Sequence, residues 1–296
     1  MRVINIHKCV KKIEKTRINT YLKGVFFELP TNAGIKKALK NERLLLNGKK
    51  AGSASWVQEG DIIELKESNF IPPKEFELKL EIIYEDEFMA AIIKPPGYTV
   101  SGNSFKTIEN ALNYNLIKSK EPDALEWPRP VHRLDNPTSG ILLISKTSRA
   151  SKNLGTQFNN KTIQKTYRAL VQGTITKNGT IDSPVDEKKA ITEFKRISLN
   201  DSLSNTAISD VELSPKTGRT HQLRIHLASI GHAIVGDKIY GIEGKTLKHK
   251  GLFLYAVGLN FKHPITGEVI KLSMTLPEKY QAYINREKLR WEKFNS

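Results

Sequence analysis

From residue 80 onward, short apolar and β-branched runs are separated by polar turns. Leu80-Glu81-Ile82-Ile83-Tyr84 and Ala90 to Lys94 read as strands joined by the acidic turn Glu85-Asp86-Glu87. Ile141 to Ile144, Thr166 to Val171 and Ile208 to Leu213 repeat that style. Between them, helical patterns cover Thr107 to Leu116, Thr147 to Phe158, Arg219 to Ile230 and Glu278 to Glu292. In the third, Leu223, Leu227 and Ile230 fall at i, i+4 and i+7, and Gly231 follows as a stop. Strands and helices interleave without a regular βαβ beat. The pattern predicts an α+β fold with a large mixed or antiparallel sheet flanked by helices and loops.

The first part of the chain is patterned differently. Gly34 to Lys40 reads as a short helix with Lys36, Lys37 and Lys40 on its outer side. Arg43 and Leu44-Leu45-Leu46 follow, then the hairpin turn Asn47-Gly48, Lys49 and Lys50, and the strand Gly60-Asp61-Ile62-Ile63-Glu64-Leu65. The polar stretch from Lys66 to Glu77, with Pro72-Pro73, reads as a boundary. The expected division is a small α/β domain over 1–68, a linker over 69–78 and a larger domain over 79–296.

Charge sharpens that division. The formal net charge is +16 with a pI near 9.7. Residues 1–70 hold 14 Lys and Arg against 7 Asp and Glu, and the other 226 hold 33 against 24, so the small domain is about 2.5 times as basic per residue. Such an excess favours a polyanion as partner. A single cysteine, Cys9, rules out an intramolecular disulfide and a cysteine-based zinc site, and suits a reducing cytoplasm. The basic N-terminus has no apolar core of secretory length, and the longest apolar run, Phe88 to Ile93, is far too short to span a bilayer. The expected partner is therefore nucleic acid rather than a membrane, and the expected form a monomer.

Three segments carry candidate chemistry. In His132-Arg133-Leu134-Asp135-Asn136-Pro137-Thr138-Ser139-Gly140, a carboxylate sits among turn formers, beside an arginine and before an apolar strand that leads to Lys146. Taken alone, Asp135 could equally be a structural cap. Lys165-Thr166-Tyr167-Arg168-Ala169 is a strand with a tyrosine that core packing alone would explain. Lys216-Thr217-Gly218-Arg219-Thr220-His221-Gln222-Leu223-Arg224-Ile225-His226 leads into a helix whose first turn, near Arg219 and Thr220, should offer free backbone N–H groups to a phosphate.

Taken together, these strings resemble the RluA-type pseudouridine synthases, isomerases that convert uridine in RNA to pseudouridine. HRLDxxTSG with its following strand looks like the catalytic motif of that family, and KxYxA, beginning two residues before Tyr167, looks like its second. TGRTHQLRIH, continued by Gly231-His232 and Gly236-Asp237-Lys238-Ile239-Tyr240-Gly241, is similar to its third. Lys94-Pro95-Pro96-Gly97 resembles a further turn motif, read here as structural. The resemblance runs from about residue 80 to 275, and the small domain resembles an S4-type RNA-binding domain over roughly 16–66. By the resemblance Asp135 is the catalytic carboxylate, Arg224 pairs with it, and Tyr167 and Ile225 sandwich the target base. Ribosomal RNA is the first expected substrate and tRNA the second.

The reaction breaks N1–C1′ of uridine, turns the base and joins C5 to C1′. Nothing is oxidised and no group enters or leaves, so no cofactor is expected, in agreement with the missing P-loop and GxGxxG strings. A flipped-out uridine costs a few kcal/mol, and stacking on an aromatic returns about 1–3 kcal/mol. Arg133, with His132, Lys165 and Arg219, is a candidate to contact the nucleotide, and Lys36, Lys37, Lys40, Arg43, Lys49 and Lys50 to contact RNA more widely. A dry Asp135 needs a cation to stay ionised, ideally a bidentate Arg224. His221 and His226, five apart, do not match a zinc pair, Ser139 lacks the partners of a nucleophile, and no metal is expected. The rival expectation is a non-catalytic RNA-binding assembly factor on the same fold.

Overall fold

The computed structural model describes residues 3–9, 15–26, 28–29, 31–67, 74–242 and 251–296. Residues 68–73, with Pro72-Pro73 and half of the expected linker, lie outside the described residues. The first elements are β1 (Val3–Lys8), β2 (Thr16–Arg17), α1 (Ile18–Tyr21), α2 (Asn32–Lys40), β3 (Leu44–Leu46), β4 (Lys49–Lys50), β5 (Trp56–Val57) and β6 (Ile62–Lys66). Then come β7 (Glu81–Glu85), β8 (Met89–Lys94), α3 (Ile108–Asn115), β9 (Ala124–Pro130), β10 (Ser139–Thr147), α4 (Ser148–Asn159) and β11 (Gln164–Gln172). The chain continues with β12 (Asn178–Asp182), β13 (Ile191–Ser202), β14 (Thr206–Pro215) and α5 (Gln222–Ser229). It ends with β15 (Leu254–Lys262), β16 (Val269–Ser273) and α6 (Glu278–Asn295).

The first eight elements form a four-stranded sheet in the order β1-β6-β3-β4 and the small β2-β5 pair. They close on their own apolar cluster, with Ile18, Leu22, Ile35, Leu44, Ile63 and Leu65 buried. The expected helix is capped by Thr31, whose hydroxyl accepts the Gly34 N–H at 3.0 Å. The Asn47-Gly48 turn has positive φ at both residues, 51° and 75°, the backbone that joins strands most tightly. Lys36, Lys37, Lys40, Lys49 and Lys50 are exposed. Arg43 departs from that expectation. It is half-buried with its Nε donating to the Lys66 carbonyl at 3.1 Å, because it sits where β3 enters the sheet beside the end of β6.

The larger part is built on a ten-stranded sheet in the order β12-β13-β14-β11-β15-β10-β8-β7, with β16 on β15 and β9 on β10. Its pairings are antiparallel except β10 with β15, so the sheet is mixed. Helices α3, α4, α5 and α6 pack around it. β13, which the hydrophobic pattern did not single out, is the longest strand, and it alternates exposed and covered positions because one face meets solvent. Gly140 crosses within contact of β15 at a φ of 133°, and a Cβ there would lie 2.4 Å from the Ala256 carbonyl oxygen. Only glycine lets the two parallel strands meet at the end of the Asp135 loop. Among the described residues, no helix is long and apolar enough to cross a membrane.

Candidate active site

The Asp135 loop lies between β9 and β10, against the central strands. Its shape is held from inside. The Lys94 ammonium, fully buried at the end of β8, donates to the carbonyls of Pro95 at 2.9 Å, Asn136 at 3.0 Å and Thr138 at 2.8 Å. The Gly97 N–H donates to the Asn136 carbonyl at 2.9 Å, and the Thr138 N–H to the Asp135 carbonyl at 3.0 Å. KPPG is thus the clamp of this loop as well as a turn. Burial pushes the Lys94 pKa down to about 8, while the charge of Asp135 acts the other way.

At the loop's other end, His132 Nε2 accepts the Leu143 N–H at 3.0 Å, so that nitrogen is unprotonated. Its ring leans on Phe158 with centroids 4.6 Å apart. Burial first, and then the charge of Lys165, push its pKa down to about 3. Arg133 is exposed.

Asp135, Tyr167 and Arg224 meet in a cavity of about 420 Å³. His132, Arg133, Lys165 and Arg219 line it as well, as do Thr138, His221, Leu223 and Leu254. Tyr167 reaches it from β11, packed between two apolar clusters, and burial together with the Asp135 charge holds its phenol neutral, well above the usual range. Lys165 lies two positions earlier on the same strand face, with Nζ donating to the Thr217 carbonyl at 3.3 Å. Burial first, then the neighbouring charge of Lys161, lowers its pKa.

Arg224 projects from α5 and is 3% exposed. Its Nη1 lies 3.7 Å from Asp135 Oδ2, and its bidentate partner is another residue. Nε and Nη2 donate to the two carboxylate oxygens of Asp237 at 2.7 and 2.8 Å. Asp237 also accepts the N–H groups of Ile239 and Tyr240 at 2.9 and 3.1 Å. Burial opposes both charges. The Arg224 hydrogen bonds and the backbone N–H groups nevertheless hold Asp237 below the usual carboxylate range, and the Asp237 bonds, with the charges of Asp237 and Asp135, raise Arg224. The expected bidentate Asp135–Arg224 pair is therefore corrected: Asp237 occupies the guanidinium fork and leaves Nη1 to face Asp135. The Tyr240 ring lies 5.1 Å from the Arg224 Cζ.

Two further expectations change. The helix begins at Gln222 rather than Arg219, because His221 takes the left-handed backbone at φ 55° and breaks the helical turn before it. The Arg219 N–H is taken by Gln222 Oε1 at 3.0 Å, so it is not free for a phosphate. Ile225 is absent from the cavity lining, whereas Leu223 is present and packs in the same cluster as Tyr167. One residue advances a helix by about 100°, so with Arg224 facing the cavity only one of its flanking apolar neighbours shares that wall.

Lys94, His221, Leu223, Asp237 and Tyr240 were not among the candidates. Their signal was present, since Asp237 and Tyr240 stand in the GDKIYG string and Lys94 in KPPG, but no pattern says which polar group meets which. His226 is a buried structural histidine, with ring nitrogens 3.0 Å from the Thr192 hydroxyl and the Ser183 carbonyl. Among the described residues, no group of three or more His, Cys, Asp or Glu side chains is arranged to hold a metal.

Comparison with known proteins gives this geometry its context. Residues 89–229 match the family model described as RNA pseudouridylate synthase. An RNA pseudouridine synthase of Aquifex aeolicus is 31% identical over 297 residues, covering 91% of this chain and 93% of that protein. Ribosomal large subunit pseudouridine synthase D of Zymomonas mobilis is 33% identical over 232 residues, covering 69% of this chain and 72% of its own. The solved structure of human RNA pseudouridylate synthase domain containing 1 superposes with a TM-score of 0.56 at 25% identity, over 67% of this chain and 84% of that one. Sequence similarity, fold and the assembled motifs agree, and the chain belongs to the RNA pseudouridine synthase family.

Proposed function

We propose that this enzyme isomerises uridines in structured RNA, ribosomal RNA first and tRNA second, with Asp135 as its essential carboxylate. The observation that carries the reading is the approach of Arg224 Nη1 to Asp135 Oδ2, at 3.7 Å in a cavity of about 420 Å³. A space of that size accepts one extruded nucleotide, with the carboxylate and a fixed guanidinium side by side on its wall. Tyr167 and Leu223 take the two faces of the base, a neutral phenol being suited to stacking rather than to charge. Arg133, exposed at the cavity, contacts the flanking backbone or fills the space that the flipped base vacates. Lys165 and Arg219 line the same cavity and add positive charge.

In this reading residues 1–68 form an S4-like RNA-binding domain with Lys36, Lys37, Lys40, Lys49 and Lys50 toward the phosphates. The protein acts as a monomer and without a cofactor. Ribosomal RNA is favoured because the Zymomonas mobilis relative carries that substrate in its name. The test is a pseudouridine map of total RNA from cells with and without the gene, complemented by wild type or by Asp135→Asn. Sites that vanish on deletion and return with wild type alone support the reading and identify the RNA. Sites that return with Asp135→Asn remove Asp135 from the chemistry.

A further inference from the structure

His221 lines the cavity and has no task in the functional reading above. It holds a left-handed backbone at φ 55°, a conformation that non-glycine residues keep where the surroundings impose it. Its Nε2 lies 3.9 Å from Asp135 Oδ2, and its Nδ1 lies 3.0 Å from the Tyr240 hydroxyl. The Tyr240 ring meets the imidazole edge-on, with centroids 5.7 Å apart at 75°. The side chain is 27% exposed, so the imidazole is reachable from the cavity. Asp135 and Tyr240 are its near partners, and the cations Arg133, Lys161, Lys165, Arg219 and Arg224 line the same cavity.

The isomerisation needs such a group. After N1–C1′ breaks and C5–C1′ forms, C5 carries both its hydrogen and C1′, and C6 is doubly bonded to N1. The C5–H bond must then break. Its electron pair restores C5=C6, the C6=N1 π pair moves to N1, and N1 takes a proton from solvent. The proton acceptor has to stand next to C1′, because C5 and C1′ are bonded at that stage.

The other groups in the cavity suit this step poorly. Arg133, Arg219 and Arg224 are permanent cations. Lys165 donates to the Thr217 carbonyl, and His132 Nε2 already accepts the Leu143 N–H. The Tyr167 phenol is held in its neutral form, and Asp135 is occupied at the sugar–base junction and stabilised by Arg224.

We propose that His221 Nε2 accepts the C5 proton, while its Nδ1–H donates to the Tyr240 oxygen and fixes the ring. The imidazolium then returns its proton to solvent. This rests on the pseudouridine-forming reading with Asp135 at the sugar–base junction, and assigns a second catalytic residue within it. It also explains why a histidine keeps a strained backbone at the mouth of α5: the left-handed turn brings the ring over Asp135 instead of along the helix.

The test uses the full chain and an RNA that the wild type converts, under single turnover. In one RNA the target uridine carries deuterium at C5, and in another it carries fluorine, which leaves no C5 proton to remove. His221→Asn is the first variant, because asparagine tolerates the left-handed backbone but cannot act as a base. Uridine conversion should fall by about 10²–10⁴-fold, the range of general-base catalysis, and show a primary deuterium isotope effect. Cleavage of N1–C1′ in the 5-fluorouridine RNA should change far less.

Equal losses on both RNAs without an isotope effect would assign His221 to holding Asp135 and overturn the proposal, as would unchanged conversion. Tyr240→Phe keeps the ring beside Arg224 and should show the same isotope signature with a smaller loss. Its absence there overturns the proposal even if His221→Asn fails to fold. Conversion of uridine by Asp135→Asn would instead strike at the underlying reading.

Discussion

At the residue scale, the site is organised by partners that hold the reacting groups. Asp237 fixes the guanidinium of Arg224 through two short charge-assisted bonds. Asp237→Asn leaves one good acceptor and a buried cation with less compensation. Turnover should fall about 10–100-fold, equivalent to the ~1.5–3 kcal/mol of a charged hydrogen bond, with little change in RNA affinity. Single-turnover rates together with RNA titration check this.

His132 gives a pH prediction. Its pKa is depressed to about 3, so the unfolded chain binds a proton there at pH values where the native state does not. The stability contributed by the neutral ring is present above pH ~6.5 and is lost as pH falls toward 3. Urea unfolding between pH 7 and 4 should show the decline. His132→Gln should flatten it by an amount of order 1–3 kcal/mol, because the half-buried ring is partly screened.

At the element scale, the Asp135 loop depends on β8 and β15 as much as on its own residues. Lys94→Met takes the donor from the Pro95 and Thr138 carbonyls, leaves the Asn136 carbonyl with the Gly97 N–H alone, and removes the clamp of the loop. About 2–5 kcal/mol of stability should be lost, at roughly 1–3 kcal/mol for each buried carbonyl left without its donor, and catalysis should fall further than the folded fraction explains. Gly140→Ala places a Cβ 2.4 Å from the Ala256 oxygen at a φ that alanine avoids, so β10 and β15 must part. A melting temperature lower by several degrees, with RNA binding retained by the folded fraction, is the expected result.

At the scale of the whole molecule, the proposed function divides the work, with surface charge to capture the RNA and the cavity to react with it. Charge reversal of Lys36, Lys37 and Lys40, exposed on α2, should weaken RNA binding and make log affinity fall less steeply with log salt. The slope should shrink by about 0.7–0.9 for each phosphate that the protein ceases to neutralise. Turnover at saturating RNA should be unaffected, because those residues lie outside the cavity lining. A filter-binding salt series beside saturating kinetics separates the two effects. An unchanged slope would place the phosphate-binding surface elsewhere.

Strand and helix positions near the motifs, the Asn47-Gly48 hairpin, and Asp135, Tyr167 and Arg224 as chemical candidates were all legible along the chain. Local patterning, turn chemistry and a contiguous motif depend on near neighbours, and those are written in order. The partners of Arg224, the clamp of Lys94, the choice of Leu223 over Ile225 and the approach of His221 to Asp135 were not. Each joins segments that are distant in the chain or depends on where one helix turn starts. Arg224 finds Asp237 rather than Asp135 in its fork because the chain returns past α5 with Gly236 fitted against Gly251, where a Cβ would fall 1.9 Å from that carbonyl oxygen. The amino-acid order by itself determined which side chains are available for the chemistry. The tertiary structure decided which of them touch, because hydrogen-bond partnership is settled by distances of a few tenths of an ångström that no local pattern encodes.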